Sequence, residues 1–197
     1  TREIWAAASA NEQLALAEQL GCFLHDLHGM QTEEIDWEIP HTLAPVTRDT
    51  WADIYERLLE KVQPLLLPHQ SEWMEGLFEL PLSATGFFDF EPVLIHGDLA
   101  PYHILFSPEE RKLSAVIDFG TTGLGDPATD LGSLINAYGE TLGGAIAESY
   151  PDYHDHLNRA RFYAQAIELQ WVLLGVESGE DYWFTAHLGG ARDIGFD

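Results

Sequence analysis

One cysteine, Cys22, stands in a chain of 197 residues, so no intramolecular disulfide can form and the framework of a small disulfide-stapled secreted domain is excluded. Lysine is nearly as scarce, at Lys61 and Lys112, and nine Lys and Arg together face 33 Asp and Glu, a formal charge of -24. Phosphate backbones and anionic lipid surfaces are repelled by such a surplus, which argues against nucleic-acid and membrane partners and leaves neutral or cationic ones. No apolar run comes near the roughly 18 residues of a membrane span. The first residues also lack the basic stretch and apolar core of a signal peptide, and a reducing cytoplasm is the expected location. The chain opens on Thr1 rather than methionine, so an upstream segment is expected. Internal repeats, low-complexity tracts and Gly/Ser linkers are lacking too, and one domain over 1–197 accounts for the pattern.

What is present is an apolar content of 46%, enough for a sizeable core at this length. Ser9 with Glu12 three residues on reads as a capping box. Behind it Leu16, Leu20, Phe23, Leu24 and Leu27 recur at helical spacing until Gly29. Thr47 can cap a second helix whose stripe is Trp51, Ile54, Tyr55, Leu58, Val62 and Leu65, and a shorter one is expected over Ser71 to Leu80 before Pro81. Val93 to Ile95, Ile104 to Phe106 and Leu113 to Ile117 are short strand-like runs, the last two joined by the polar turn Ser107 to Lys112 as a hairpin. Helical spacing returns from Asp130 through Tyr138 and again from Ala160 through Leu174. The expected fold class is α+β, mostly helical, with one small β insert.

Unusual polar residues concentrate in that insert. His96-Gly97-Asp98 follows the first strand, His103 precedes the second and Asp118-Phe119-Gly120 follows the third. An antiparallel hairpin of such short strands sets Asp118 beside His103, with Asp98 on the preceding loop. Two carboxylates and an imidazole can hold Mg²⁺ through Asp118 and leave Asp98 free to take a proton from a hydroxyl. A zinc site built on His96, Asp98 and His103, as in a metal-dependent hydrolase, is a weaker alternative. Gly120, Gly123 and Gly125 have no Lys-Ser or Lys-Thr after them and read as a flexible turn rather than a phosphate cradle. His25 and His28 suit a helix C-terminus, and His154 and His156 read as surface residues at a helix start.

At these residues LIHGDLAPYHILF, LSAVIDFG and GLGDPATDLGSL resemble the ordered core motifs of the aminoglycoside phosphotransferase and choline kinase group, which shares the protein-kinase-like fold. The resemblance is tight from Leu94 to Leu134 and takes in the Leu-His pairs of the first helix loosely. It implies that the chain is the carboxy-terminal lobe of a small-molecule kinase, transferring the γ-phosphate of ATP or GTP to a hydroxyl with Mg²⁺ as cofactor. By the same resemblance Asp98 is the catalytic residue and Asp118 the metal ligand. His103 stands where most members carry an Asn metal ligand, as in the 2''-type aminoglycoside enzymes. His96 is expected to be structural near the site, Asp126 to hydrogen-bond the catalytic loop and Asp130 to cap the next helix, while Asn136 and Glu140 fall where relatives place acceptor-binding groups. Thr121 departs from the acid that many relatives place there.

The resemblance places an amino-terminal nucleotide lobe with a strand-borne Lys ahead of the residues given, so the chain is expected to be the carboxy-terminal lobe and to show no turnover alone. The acidity and His103 favour an aminoglycoside-like or other cationic acceptor. Choline, homoserine, another metabolite alcohol, a macrolide, and a non-catalytic kinase-like binding module remain the alternatives.

Overall fold

A computed structural model describes residues 2–31 and 38–180. Seven helices carry most of them: α1 (Arg2–Ala7), α2 (Ala10–His28), α3 (Arg48–Lys61), α4 (Pro68–Ser83), α5 (Ala128–Tyr138), α6 (Glu140–Ile146) and α7 (Tyr153–Ser178). The four strands β1 (Val93–Ile95), β2 (Ile104–Ser107), β3 (Lys112–Val116) and β4 (Gly123–Gly125) lie between α4 and α5. They form two antiparallel pairs, β1 with β4 and β2 with β3.

Local chemistry accounts for most helix ends. The Glu12 carboxylate accepts hydrogen bonds from the Ser9 backbone N–H at 2.8 Å and its hydroxyl at 2.7 Å, so α2 starts where the capping pair requires. The Thr47 hydroxyl accepts from the Thr50 N–H and caps α3. That helix stops at Lys61 because Pro64 lacks an N–H for a further turn. Leu65, expected on its inner stripe, therefore sits in a 3₁₀ turn with 57% of its surface exposed. Helix α4 is longer than expected, and Pro81 lies buried inside its last turn rather than ending it.

The core is helical. Leu20 and Leu24 of α2, Trp51 and Leu58 of α3, Phe78 of α4, Leu131 and Leu134 of α5 and Leu169 of α7 are buried together. Trp51 anchors an aromatic cluster, edge-on to Phe162 at 4.9 Å and stacked on Tyr163 at 5.7 Å. Against this base the β insert is pinned by β1, whose Ile95 is fully buried.

Of the glycines expected to form a flexible turn, Gly120 lies in a 3₁₀ turn over Phe119–Thr121, while Gly123 and Gly125 are the ends of β4. A Cβ on Gly123 would lie 2.6 Å from the Pro40 carbonyl oxygen and the Thr42 nitrogen. The Thr42 N–H donates to the Leu124 carbonyl and the Leu124 N–H to that of Pro40. Glycine is there because a neighbouring backbone covers the strand. No helix among the described residues is long and apolar enough to cross a membrane.

Candidate active site

The hairpin places its polar residues as strand pairing requires. Ile104 pairs with Val116 at the end of the β2–β3 ladder, and the next residues inward, His103 and Ile117, share an N–H to carbonyl bond of 2.9 Å. His103 Nε2 then lies 3.2 Å from Asp118 Oδ2 and its Nδ1 lies 3.7 Å from Asp98 Oδ2. The Asp98 carbonyl, an acceptor only, is 2.8 Å from His103 Nδ1, so Nδ1 carries a hydrogen. In that tautomer the Nε2 lone pair faces a carboxylate oxygen, an arrangement that a proton or a shared cation stabilises. Asp118 has φ 64 and ψ 64, left-handed for a non-glycine residue, and its side chain is 63% exposed. A backbone held there signals a position selected for something other than local comfort.

His96 is fully buried. Its Nε2–H donates to the Ile117 carbonyl at 3.0 Å and its Nδ1 accepts the Asp98 N–H at 3.3 Å, so one ring ties the loop after β1 to the end of β3. Its carbonyl accepts the Thr121 hydroxyl at 3.0 Å. Thr121, for which the resemblance offers no role, thus braces the loop. Gly97 has φ +82, and a Cβ there would meet the Thr121 carbonyl at 2.7 Å.

Asp126 and Asp130 exchange the roles expected of them. Asp130, in the first turn of α5 and fully buried, accepts the backbone N–H groups of His96 at 2.8 Å and Gly97 at 2.9 Å, so it holds the loop that carries Asp98 rather than capping its own helix. Asp126 does the capping, accepting the Ala128 N–H at 2.9 Å. It is also fully buried, paired with Arg159 at 2.6 and 3.1 Å and bonded by the Tyr163 hydroxyl at 2.9 Å. Burial, and then the Asp126 charge, push the Tyr163 hydroxyl well above its ordinary pKa and keep it a donor.

Two further groups were invisible in the sequence pattern. His28, expected to answer only the dipole of a helix C-terminus, is buried, with Nε2 3.2 Å from Asp130 Oδ2 and Nδ1 2.8 Å from the Tyr150 hydroxyl. Burial above all pushes the Tyr150 pKa up, so its O–H donates and His28 keeps its other hydrogen for Asp130. His156, expected at the surface, is half-buried against Tyr150, their ring centroids 6.1 Å apart.

Asn136 and Glu140 lie apart from this cluster. Asn136 Nδ2 donates to the Ala164 carbonyl and to Glu168, both at 2.7 Å, while Glu140 takes two hydrogen bonds of 2.8 Å from Arg161. Both are engaged in ties to α7, and neither lines the cavity at Asp98. That cavity, of about 300 Å³, runs from Gly97, Asp98 and Thr121 to Trp51, Tyr163 and Trp171. The two tryptophans and Tyr163 were legible only as helical stripes, because period does not separate a core wall from a cavity wall.

Among the described residues no three or more His, Cys, Asp and Glu side chains form a closed metal cage. Mg²⁺ in phosphoryl-transfer sites is held by one or two carboxylates, with waters and substrate phosphates completing the octahedron. The exposed carboxylate of Asp118, turned toward the His103 lone pair, fits that open kind of site.

Comparison with known proteins bears on the family and the fold. Viomycin phosphotransferase from Streptomyces vinaceus is 36% identical over 103 residues, a stretch covering 50% of this chain and 36% of that protein. The GDP complex of aminoglycoside 2'-phosphotransferase-IIIa superposes on 95% of this chain and 64% of its own with a TM-score of 0.84 at 23% identity. The macrolide 2'-phosphotransferase of Brachybacterium faecium does so over 93% and 63%, with a TM-score of 0.65 at 21% identity. The chain thus spans less than two thirds of these relatives, and the fold they share with it is the protein-kinase-like one. Residues 1–163 match the family model described as "Phosphotransferase enzyme family", and to that family the chain belongs.

Proposed function

We propose that this chain is the carboxy-terminal lobe of a kinase that transfers the γ-phosphate of ATP or GTP to a hydroxyl group of a small molecule. The observation that carries the reading is the convergence of Asp98 and Asp118 on the His103 ring, at 3.7 and 3.2 Å, with Asp98 at one end of a cavity large enough for part of an acceptor. Asp98, its side chain one third exposed, is the group that orients the acceptor hydroxyl and takes its proton. Its loop is held on both sides, by Asp130 beneath and by the rings of His96 and His103, so positioning is built in before substrate arrives. Asp118 and His103 would hold Mg²⁺, which when bound neutralises charge on the nucleotide phosphates. Asp126 and Asp130 carry structure, and Asn136 and Glu140 act through α7 rather than on the acceptor.

The charge of -24 supports a cationic acceptor, because it raises the local concentration of cations around the lobe. Aminoglycoside-like amines are the leading class, and the viomycin and macrolide enzymes among the relatives widen it to other antibiotics with hydroxyl groups.

The test is phosphate transfer by the intact protein from ATP and from GTP to a panel of aminoglycosides, macrolides, choline and homoserine. Transfer to one acceptor class, lowered about 100-fold or more by Asp98→Asn with nucleotide affinity kept, supports the assignment. Acceptor binding with no transfer from either nucleotide would replace it with a non-catalytic binding module.

A further inference from the structure

Thr42 is packed against three glycines. A Cβ on Gly123 would lie 2.6 Å from the Thr42 nitrogen, one on Gly125 2.6 Å from Thr42 Cγ2, and one on Gly97 3.1 Å from Thr42 Oγ1. Gly123 and Gly125 belong to β4, and Gly97 to the loop that carries Asp98. The segment 40–45, between α2 and α3, is therefore fitted to both at once. Its backbone is laid along β4, where His41 bridges Leu124 in parallel and the Thr42 N–H donates to the Leu124 carbonyl at 3.0 Å. The Thr42 hydroxyl is used twice. It donates to the Thr121 carbonyl at 3.2 Å and accepts the Ala44 N–H at 3.2 Å. Thr121 in turn gives its own hydroxyl to the His96 carbonyl at 3.0 Å. The residues that follow, Leu43, Ala44 and Pro45, line the same cavity as Gly97, Asp98 and Thr121. One hydroxyl thus joins a wall of the cavity to the backbone beside Asp98.

We propose that Thr42 is a positioning residue for the acceptor: its hydroxyl fixes the wall of Leu43, Ala44 and Pro45 at a set distance from Asp98, so that an acceptor packed on the wall presents its hydroxyl to the carboxylate. The inference rests on the phosphotransferase reading and deepens it. Burial does little to hold the wall, since Leu43 is 83% exposed. Hydrogen bonds through Thr42 carry that task. The Asp98 loop, by contrast, has anchors of its own in Asp130 and in the rings of His96 and His103. Loosening Thr42 therefore frees the wall and leaves the carboxylate where it is. The loss falls on how firmly the acceptor is gripped, and an acceptor that does reach Asp98 still meets an intact base.

Steady-state transfer by the intact protein from ATP or GTP to kanamycin, choline, homoserine and a macrolide tests this in two variants. Thr42→Val keeps the shape of a half-buried side chain and removes both hydrogen bonds, while Thr42→Ser keeps the hydroxyl. With whichever compound is phosphorylated, Thr42→Val is expected to raise the acceptor KM about tenfold, to lower kcat by less than about threefold and to leave the nucleotide KM unchanged. Thr42→Ser is expected to restore the acceptor KM. A second measurement needs no acceptor. Amide exchange at Leu43 and Ala44 should quicken about tenfold in Thr42→Val and not in Thr42→Ser, while residues 96–98 stay as protected as in the unaltered protein. An unchanged acceptor KM, a loss confined to kcat, a serine variant as impaired as the valine one, or exchange that quickens equally at 96–98 overturns the proposal. Absence of transfer to all four compounds by the unaltered protein sinks the phosphotransferase reading itself, a result distinct from any of these.

Discussion

His28, at the end of α2, and Asp130, in the first turn of α5, meet through a buried contact of 3.2 Å, and Asp130 in turn holds the backbone of His96 and Gly97. A chain of hydrogen bonds thus runs from Tyr150 through His28 and Asp130 into the loop that carries Asp98. The loop's position is set by helices more than 30 residues distant in sequence, not by its own turn chemistry.

Asp130→Ala should therefore cost stability and activity together. Three donors lose a fully buried acceptor, for which about 3–5 kcal/mol is the expected loss in urea unfolding. Phosphate transfer should fall about 100-fold even at temperatures where the variant stays folded, because the loop shifts. Asp130→Asn keeps one acceptor oxygen and should lie between the two. Wild-type turnover in a folded Asp130→Ala protein would remove Asp130 from the positioning role.

The buried pair of Asp126 and Arg159 should show strong coupling. Asp126→Ala leaves a half-buried guanidinium and the Tyr163 hydroxyl without their carboxylate, and about 3–5 kcal/mol is expected to be lost. Arg159→Met strands the carboxylate in the same way. The double variant should lose less than the sum, and additive losses in a thermodynamic cycle would show that the pair does not act as a unit.

The sequence carried the parts of this architecture that depend on neighbours in the chain. Ser9 with Glu12, Thr47, and the 3.6-residue stripes of Leu20, Leu24, Trp51 and Leu58 announce helices, and the hairpin length alone brings His103 to Asp118. The remainder depends on distant packing. Nothing near Gly123 says that Pro40 and Thr42 will lie over it, so a strand reads as a turn. Asp126 and Asp130 are four residues apart on one motif, and only the position of His96 below α5 decides which one holds the loop. His28 looked like a residue drawn to a helix dipole because its partner, Asp130, lies 102 positions later.

Acid should destabilise the fold through His156. Its pKa is lowered, first by burial and then by the Arg159 charge, with the His28 ring adding to this and Asp126 and Asp152 opposing it. The unfolded chain protonates this histidine around its ordinary value of about 6.5, while the folded protein resists until a lower pH. Its contribution to stability is present above about 6.5 and declines as pH falls from there to the lowered folded value. His156→Gln should flatten the stability profile in that window, measured as urea midpoints from pH 7.5 to 5. An unchanged slope would show that the acid sensitivity comes from other groups.

Metal preference should turn on His103. Its Nδ1–H is committed to the Asp98 carbonyl and its Nε2 faces Asp118 Oδ2, so a cation taken up by Asp118 meets an imidazole nitrogen rather than an amide oxygen. Imidazole favours Mn²⁺, Co²⁺ or Zn²⁺ over Mg²⁺, which prefers oxygen in a regular octahedron. His103→Asn replaces that nitrogen by an amide whose oxygen can face the metal while its NH₂ reaches toward the Asp98 carbonyl. The ratio of phosphate-transfer rates with Mg²⁺ and with Mn²⁺, measured in the intact protein and in the variant, should therefore rise severalfold on substitution. A ratio that stays the same while unfolding shows a loss of stability would assign His103 to holding the Asp98 loop alone, and Asp118 would then meet the metal without it.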